Sequence, residues 1–590
     1  MAKMQTAWNL KLLYKSDSDP KIEKDLKKIE QLCDSFEKKY RGKPFTKTPQ
    51  ALLKVLNESE KIDNFTDSCS PSRYFYFKTD LNAADNKSQA ISTKFGQRLT
   101  EAGNKIKFLG LEIAKIPVNK QKVFLNYAPL KPYKYLLTQV FDNAKYNLSE
   151  GEEQLESLLG QPAYGMWVDA QEKLLNQQVI SHKGQDLPIA KVVGELSNMP
   201  KMDRQEVHNK ISAILKSISH MAEGEINAIY NFKKIMDKRR GYRKPYSATI
   251  LGYENDEKAI ENFVSLVTKH FPIAHRFYKL HAKLLKEKKI TLADRAVKIG
   301  EIKMKFDFTK SAVMLQSVLG RVDKEYLDIF NKFLEKGQID VYPKKGKTGG
   351  AYCAHHGNLP TFVLLNHVDT ITSLETLAHE MGHAIHSEMS KSQPSRYKNY
   401  STATAEVAST FFEQLMSVEI EKDLSAREQI IFLHNRILGD ISTIFRQIAF
   451  YNFELELHEE IRKEGQVSKE NIAKLMVKHL KSYLGDAVDI RDDDGYFFVY
   501  LSHMRRFFYV YSYAYGQIIS RALFEKWKQN HGYAKKIKQF LSAGGSMKPE
   551  DIFKSIGIDT SKNTFFEAGL KGVEGDIIKL EKLTKGFKAR

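Results

Sequence analysis

The sequence has 590 residues, and its 92 Lys and Arg against 72 Asp and Glu give a formal net charge of +20 at pH 7. This length exceeds what one compact hydrophobic core supports, so we expect more than one subdomain. A hydrophobic fraction of 42% excludes a disordered chain. No stretch approaches the roughly 18 consecutive apolar residues of a membrane helix, and the N-terminal segment lacks the apolar core of a signal peptide. We therefore expect neither a membrane span nor a membrane partner.

The positive charge raises the question of a nucleic-acid partner. The lysines, however, are mixed with acidic residues along predicted helices such as 20–40, as they are on a solvated helix face. No nucleic-acid-binding motif accompanies them, so we expect no such partner. A basic, non-enzymatic helical binding protein stays an alternative, which a steep salt dependence of oligonucleotide affinity would support. Cys33, Cys69 and Cys353 lie far apart and form no CxxC pair, which suits a reducing compartment and predicts a cytoplasmic protein.

Helical periodicity dominates the chain, because apolar residues recur every three or four positions with Lys and Glu between them. Segment 351–368 is strand-like and offers two short strands. We therefore expect a mainly α fold with a small β-sheet beside the helix predicted near 373–390. A break near 195–205 separates an N-terminal helical lobe, 1–200, from a second domain, 201–590, that holds the motifs described next. The predicted helices lie near 20–40, 87–116, 206–236, 257–287, 322–336, 373–390, 402–416, 427–463 and 468–484.

Residues 374–390, LETLAHEMGHAIHSEMS, contain the motif HExxH. On a helix, His379 and His383 share one face about one turn apart, so both imidazoles can reach one ion. Glu380 lies about 100° around the helix, beside such an ion, where it can act as a base toward water. Thr372 and Glu375 have the spacing of a capping box and predict the start of this helix. The alternative is an ordinary amphipathic helix that carries histidines by chance.

A catalytic zinc site needs a third protein ligand and an open fourth position. Glu388 is half a turn out of phase with the first histidine, and His386 is about 10 Å along the axis, so neither completes the pair. The predicted helix 402–416 offers Glu406 and, seven residues later on the same face, Glu413. A helical hairpin would return Glu406 to the two histidines. The alternative for Glu406 is a solvent-exposed acid, but its small apolar neighbours favour burial.

Two segments together carry a specific likeness to a known family: HEMGHAIHS, and AEVASTFFE after a loop that contains Gln-Pro. With them the chain resembles the oligoendopeptidase F family, zinc metallopeptidases related to thimet oligopeptidase and neurolysin. The likeness extends to KGKTGGAY at 345–352, to 362–380, to FFYVYSYAYG at 507–516 and, faintly, to WNLKLLY near the N-terminus. The specific motifs thus cover about residues 340–516.

The resemblance implies one Zn²⁺ per chain, bound by His379, His383 and Glu406, with Glu380 as the general base. It also implies a large multi-helical, clamshell-like body whose deep channel admits short peptides and excludes folded proteins. The family positions that lie near the metal and support its ligands correspond to His386 and Glu413.

The relatives also place a strand near GGAY along the substrate cleft. An extended peptide would pair there with the backbone, as an added strand does. The substrate-binding residues implied by this likeness are Gly349, Gly350, Ala351 and Tyr352.

Residues 496–516 contain ten aromatic side chains, most of which we expect to be core. The family places a His and a Tyr here that stabilise the oxyanion of peptide hydrolysis, and they match His503 and Tyr509. Tyr513 follows Tyr509 by four residues and could share its face. The chain also departs from the family, which usually has a Trp and the tripeptide Ile-Pro-His where this chain has FVYLSH.

On one continuous helix His503 and Tyr509 would lie about 240° apart. A shared role therefore requires a break between them, which we place at Arg505 and Arg506. Tyr511 and Tyr515 stay alternatives for the tyrosine.

The sequence thus predicts a zinc endopeptidase that cleaves internal bonds of short oligopeptides. A zinc carboxypeptidase or dipeptidase on a similar helical scaffold is the nearest alternative, and it would need a cation such as Arg505 or Arg506 for the terminal carboxylate. A catalytically silent binding protein is another. Such a protein would have lost Glu380 or one of the three candidate metal ligands. Glu380 and the three ligands are all present.

Overall fold

α-Helices make up most of the structure, a computed structural model that describes residues 4–585. The predicted mainly α fold class is confirmed. The helices before residue 300 are α1 (Pro20–Tyr40), α2 (Pro49–Thr66), α3 (Pro71–Leu81), α4 (Asn86–Asn104), α5 (Phe108–Ala114), α6 (Val118–Asn126), α7 (Lys134–Asn143), α8 (Glu150–Gly160), α9 (Met166–Asn176), α10 (Ile189–Glu195), α11 (Lys201–Ser217), α12 (Ser219–Arg240), α13 (Ser247–Gly252), α14 (Glu257–Lys269) and α15 (Phe271–Leu284). Those after residue 300 are α16 (Phe308–Val322), α17 (Lys324–Lys336), α18 (Ile371–Ser390), α19 (Thr402–Asp423), α20 (Ala426–Asp440), α21 (Gln447–Glu464), α22 (Lys469–Leu484), α23 (Tyr511–Gln529), α24 (Ala534–Ser542), α25 (Pro549–Ser555) and α26 (Asn563–Leu583).

Seven short strands accompany these helices within the described part of the chain. They are β1 (Val179–His182), β2 (Gln185–Pro188), β3 (Ile290–Thr291), β4 (Ile339–Asp340), β5 (Tyr352–Ala354), β6 (Phe362–Leu364) and β7 (Val488–Asp489). β1 pairs with β2 in an antiparallel hairpin, and β3 pairs with β7 in parallel. The third sheet has the order β4-β6-β5, with β4 parallel and β5 antiparallel to β6. The two strands predicted within 351–368 are therefore confirmed as β5 and β6.

Several predicted helical segments are in fact two helices. Segment 206–236 consists of α11 and α12, which meet at Ile218. Segment 427–463 contains a π-helical turn, Ile441–Arg446, between α20 and α21. Periodicity alone does not reveal such joints, since the helices on either side have the same spacing of apolar residues.

The chain divides into two compact units, each built from three segments. One unit contains the chain up to Glu150, Met304–Ile420 and Leu523–Gly557. The other contains Gly151–Lys303, Glu421–Ala522 and the chain from Ile558 onward. The predicted division into an N-terminal helical lobe, 1–200, and a catalytic domain, 201–590, stays a prediction. Across residues 4–585, no helix combines the length and apolar character that a bilayer crossing requires.

Trp8 anchors the N-terminal segment to the three-stranded sheet of the first unit. Its indole Nε1 donates a hydrogen bond to the carbonyl of Val363 at 2.7 Å, and its backbone N–H donates to the carboxylate of Asp340 at 3.3 Å. Its ring packs against Phe77 and Phe362 with centroid distances of 5.1 and 5.5 Å. The WNLKLLY segment thus stabilises the sheet that contacts α18 through β5 and β6.

The capping box predicted at Thr372 is wrong, because α18 begins at Ile371 and Thr372 already lies in its first turn. The N-cap is Thr370, whose hydroxyl accepts a hydrogen bond from the N–H of Ser373 at 3.2 Å. Asp369 has a φ of 58° and turns the chain into the helix, which moves the start two residues upstream. The helix nevertheless ends at Ser390, as the sequence predicts.

α18 and α19 are in close contact at Gly382. A Cβ atom built on this glycine would lie 2.7 Å from the Cα of Ser409, 3.0 Å from a ring carbon of Phe412 and 3.1 Å from the carbonyl oxygen of Ala408. Two of these atoms are backbone and cannot rotate away. The helical hairpin predicted from the sequence is therefore present, and glycine is what permits its short separation.

We expect Gly382→Ala to destabilise the protein by about 1–3 kcal/mol, because the added methyl group must push α19 away from α18. The measurement is the midpoint of chemical unfolding. Gly439→Ala in α20 is the matched control, since no atom lies within 4 Å of its added Cβ. Alanine there should be neutral or stabilise by about 0.5–1 kcal/mol. Equal midpoints for the two variants would contradict the close-packing argument.

Candidate metal centre and active site

Three potential metal ligands converge between α18 and α19. Nε2 of His379 lies 3.5 Å from Oε2 of Glu406, and Nε2 of His383 lies 3.9 Å from the same oxygen. One ligand atom from each residue lies within 4.8 Å of the other two, and no other such group occurs in the part of the chain that the structure describes. Tetrahedral zinc with Zn–N near 2.0 Å separates its ligand atoms by about 3.3 Å. The spacing therefore fits a small cation after a slight contraction, and zinc suits the two-nitrogen, one-oxygen donor set.

Glu413 orients the first of these histidines. Its Oε2 lies 3.1 Å from Nδ1 of His379, so Nδ1–H can donate to the carboxylate while Nε2 keeps its lone pair for a metal. Burial by itself would lower the pKa of His379, but the hydrogen bond and charge of Glu413 raise it to about 9 in the metal-free site. Burial lowers the pKa of His383 well below its usual value, so this ring is neutral and ready to coordinate.

Glu380 lies beside the ligands as a buried carboxyl group. Its side chain is 7% exposed, and Oε2 has no hydrogen-bond partner among residues 4–585. Burial raises its pKa to about 7, against the opposing influence of the His379 charge and of the nearby Cys353 backbone. A carboxyl group that titrates near neutrality can both accept and return a proton. This is the chemistry that the sequence assigns to Glu380.

His386 and Glu388 take no part in the ligand cluster. The ring of His386 stacks on Tyr400 with a centroid distance of 3.6 Å, and burial lowers its pKa to about 3. The hydroxyl of Tyr400 lies 2.9 Å from Oγ of Ser387. Glu388 accepts a hydrogen bond from Oγ1 of Thr361 at 2.7 Å, on another side of the helix, as its phase predicts. Of the two supporting residues predicted, Glu413 touches a ligand directly, whereas His386 packs against Tyr400.

The backbone register shows which groups of β5 face outward. The N–H groups of Val363 and Leu365 donate toward β4, so the intervening residues of β6 face β5. Tyr352 and Ala354 pair with those residues, which leaves the N–H and C=O of Cys353 on the outer edge. β5 is the last strand in its sheet, and the backbone of Cys353 on its outer edge lies near enough to Glu380 to lower the pKa of that carboxyl group.

The four predicted substrate-binding residues lie at the beginning of this edge strand. Gly349, Gly350 and Ala351 precede β5, and Tyr352 is its first residue. The carbonyl of Gly350 accepts a hydrogen bond from the amide of Asn366 at 2.8 Å, and the hydroxyl of Tyr352 bonds to Asp80. The segment is thus held in place from both sides.

The aromatic residues predicted to stabilise the oxyanion form a cluster within the second unit. The rings of His503 and Tyr509 stack with a centroid distance of 5.6 Å and an interplanar angle of 12°. Tyr513 lies 6.1 Å from His503 and 5.5 Å from Tyr509, and its hydroxyl is 3.4 Å from the Tyr509 hydroxyl. The sequence thus identified three side chains that the fold brings together.

A sharp turn makes this cluster possible. A 3₁₀ helix, Ser502–Arg506, ends at Phe507 and Phe508, whose φ angles of 47° and 59° are left-handed. The N–H of Phe508 donates to buried Glu454 at 2.9 Å, and the hydroxyl of Thr249 donates to the carbonyl of Phe507 at 2.8 Å. The predicted break is confirmed, although it lies two residues later than expected.

The alternative tyrosines belong to the core of the second unit. The hydroxyl of Tyr511 accepts a hydrogen bond from the amide of Asn255 at 2.8 Å. Tyr515 packs between Phe263 and Phe566, with centroid distances of 5.6 and 5.5 Å. Both side chains are buried, unlike Tyr509.

Comparison with known proteins decides the family. The model of peptidase family M3 matches residues 198–572, and that of oligopeptidase F matches residues 112–177. The chain belongs to peptidase family M3. The resemblance stated from the sequence is therefore confirmed, and the chain is a metallo-endopeptidase.

Relatives of this M3 peptidase match it along nearly its whole length. Oligopeptidase PepF of Bacillus subtilis is 26% identical and aligns with 98% of the chain and 88% of its own length. An oligoendopeptidase F homolog of Borreliella burgdorferi is also 26% identical, over 95% of both chains. The solved oligoendopeptidase-F of Enterococcus faecium covers 96% of the chain and 99% of its own at a TM-score of 0.72 and 19% identity. A solved structure from Chlamydophila abortus covers 99% of this chain and 100% of its own, at a TM-score of 0.83 and 20% identity. At such identities the structures show a shared fold.

Sequence reasoning missed two parts of the site. Tyr400 lies just before α19 with no periodicity or motif around it, and only its packing on His386 reveals it. The part of Cys353 that lies near Glu380 is its backbone, so no side-chain pattern could have indicated it.

We expect Glu413→Gln to lower zinc affinity by about 10- to 100-fold, because the neutral amide no longer holds His379 through a charged hydrogen bond. Competition with a chromophoric chelator measures the affinity. Glu388→Gln is the matched control on α18, and its zinc affinity should equal that of the wild type. Unchanged affinity in Glu413→Gln would show that His379 is oriented by other contacts.

Proposed function

We propose that this M3 peptidase is a zinc-dependent endopeptidase that hydrolyses internal bonds of short oligopeptides. The observation that carries the proposal is the convergence of His379, His383 and Glu406 beside a buried, unpartnered Glu380 oxygen. Curated relatives named oligoendopeptidases support the substrate class. Peptides are therefore the proposed partners, and one zinc ion per chain is the proposed cofactor.

Zinc bound by His379, His383 and Glu406 would supply a Lewis acid for the scissile carbonyl and for the attacking water. Glu380 takes a proton from that water as its oxygen forms a bond to the carbonyl carbon. The carboxyl group then delivers the same proton to the amide nitrogen as the C–N bond breaks. Its pKa near 7 leaves both protonation states accessible at neutral pH.

His503 and Tyr509 are the proposed donors to the oxyanion, with Tyr513 assisting through the hydroxyl of Tyr509. Burial lowers the pKa of His503 to about 4, so its ring is neutral and carries one N–H. Burial raises the pKa of Tyr509 above its usual value, so its phenol keeps its proton. Two neutral donors that do not ionise near pH 7 suit the stabilisation of a developing negative charge.

The free edge of β5, led by Gly349, Gly350, Ala351 and Tyr352, is the proposed platform for an extended substrate. Outward backbone groups there have no strand partner among the described residues. Because Cys353 on this edge lies near Glu380, a peptide added to the edge would run past the proposed base.

The carboxypeptidase alternative receives no support from its candidate cations. Arg505 is buried and donates to both carboxylate oxygens of Glu225, at 2.9 and 2.6 Å, so its guanidinium is already neutralised. Arg506 lies over the ring of Tyr509 at 5.9 Å. The predicted cytoplasmic location and the predicted absence of a nucleic-acid partner stay predictions.

We expect Glu380→Gln to bind zinc stoichiometrically but to lose about 10²- to 10⁴-fold in kcat, because the amide cannot take a proton from water. The assay is cleavage of an end-blocked peptide followed by mass spectrometry, with metal analysis of the same sample. Chelation should abolish wild-type cleavage, and added zinc should restore it. Near-wild-type turnover in the variant, or chelator-resistant activity, would overturn the proposal.

We expect Tyr509→Phe to lower kcat by about 10²- to 10³-fold with little change in zinc content, since only the oxyanion donor is lost. Tyr511→Phe and Tyr515→Phe, in helix α23 just after Tyr509, are matched controls and should leave kcat near the wild-type value. If Tyr509→Phe behaves like these controls, the donor is not Tyr509.

A further inference from the structure

Arg73 lies at the end of the same edge strand. It belongs to α3 in the first unit, and its Nη1 donates to the carbonyl of His355 at 2.7 Å. His355 directly follows β5, and an extended continuation of the strand would turn its backbone groups outward like those of Cys353. The side chain is partly buried, so it retains some access to solvent.

This guanidinium has no carboxylate partner among residues 4–585. Two nearby carboxylates are held by other donors. Asp80 accepts from the hydroxyls of Tyr352 and Thr348, and Asp67 lies 3.4 Å from the ammonium of Lys398. Burial lowers the pKa of Arg73, and the groups that oppose this effect, Tyr352 and Tyr76, are phenols rather than carboxylates. A desolvated cation without a counter-charge is unfavourable unless something else supplies the anion.

The other polar rings beside Arg73 are uncharged at neutral pH. Burial and the charge of Arg73 lower the pKa of His355 to about 4, and the same causes lower the pKa of His356. Among Arg73, His355 and His356, the guanidinium of Arg73 is therefore the charged group. Its fork of N–H donors matches the geometry of a carboxylate.

The position of Arg73 along the strand relates it to the proposed base. Cys353, which lies near Glu380, and His355, whose carbonyl accepts from Arg73, are two residues apart, or about 7 Å in an extended strand. A peptide paired with this edge would pass both points. Arg73 would therefore meet a group within two or three residues of the scissile bond.

We propose that Arg73 determines substrate specificity by binding a carboxylate of the peptide, from an Asp or Glu side chain or from the C-terminus. The inference rests on the proposed function, because it requires a peptide along β5. The carboxylate replaces water at the unpaired N–H donors and neutralises the buried charge. The enzyme thus prefers peptides that carry a negative charge at one fixed distance from the cleaved bond.

The test is a scan of end-blocked peptides in which Asp or its neutral isostere Asn occupies each position on both sides of one cleavable bond. A parallel arm compares free-acid and amidated C-termini at varied distances from that bond. The quantity measured is the ratio of kcat/KM for the charged and the neutral member of each pair. We expect one position, or one C-terminal distance, at which the wild type prefers the carboxylate by about 10- to 100-fold.

Arg73→Gln should remove this preference, and Arg73→Lys should keep part of it, because lysine retains the charge but not the fork. Arg396→Gln is the control, since Arg396 is also partly buried but already pairs with Asp63 at 3.2 Å, and its ratios should match the wild type. The absence of any carboxylate preference, or one that persists in Arg73→Gln, overturns the inference. Failure to cleave any peptide would instead contradict the proposed function.

Discussion

The candidate site depends on how closely two helices can approach. The HExxH motif supplies two ligands on one helix, but the third comes from α19 and reaches them only because Gly382 has no side chain. The 3.5 Å and 3.9 Å separations from Glu406 to the two imidazoles follow from that contact. Glu413, two helical turns further along α19 on the same face, then reaches the far nitrogen of His379. One backbone contact thus positions both the ligand and the residue that orients a ligand.

The features of the site that could be predicted from the sequence are those set by residues close together in the chain. His379, His383 and the exclusion of Glu388 follow from helical phase, which acts within a few residues and is visible in the sequence. The start of α18 was misjudged because Thr370 and Thr372 are both good caps, and the turn at Asp369 decides between them. Tyr400 and the backbone of Cys353 act through the approach of distant segments, for which no local pattern exists.

The aromatic segment shows an intermediate case. Helical phase made it clear that His503 and Tyr509 could share a role only across a break, and the fold contains that break at Phe507 and Phe508. Its position could not be predicted, because two consecutive left-handed non-glycine residues are intrinsically unfavourable. They persist because buried Glu454 and Thr249 bind the strained backbone from other helices. Local strain is here maintained by tertiary contacts.

The attachment of Trp8 to the sheet also determines how late in synthesis this part of the first unit can be completed. The indole must wait for Val363, 355 residues later in the chain, before the sheet beside the metal ligands can form. At ribosomal rates of about 5–20 residues per second, that delay is roughly 20–70 s. Trp8 can pack against Phe77 early in synthesis, but the edge strand and the metal site need residues that are made much later. Peptide-cleaving capacity arises late in synthesis, when the whole first unit can close around its own N-terminus.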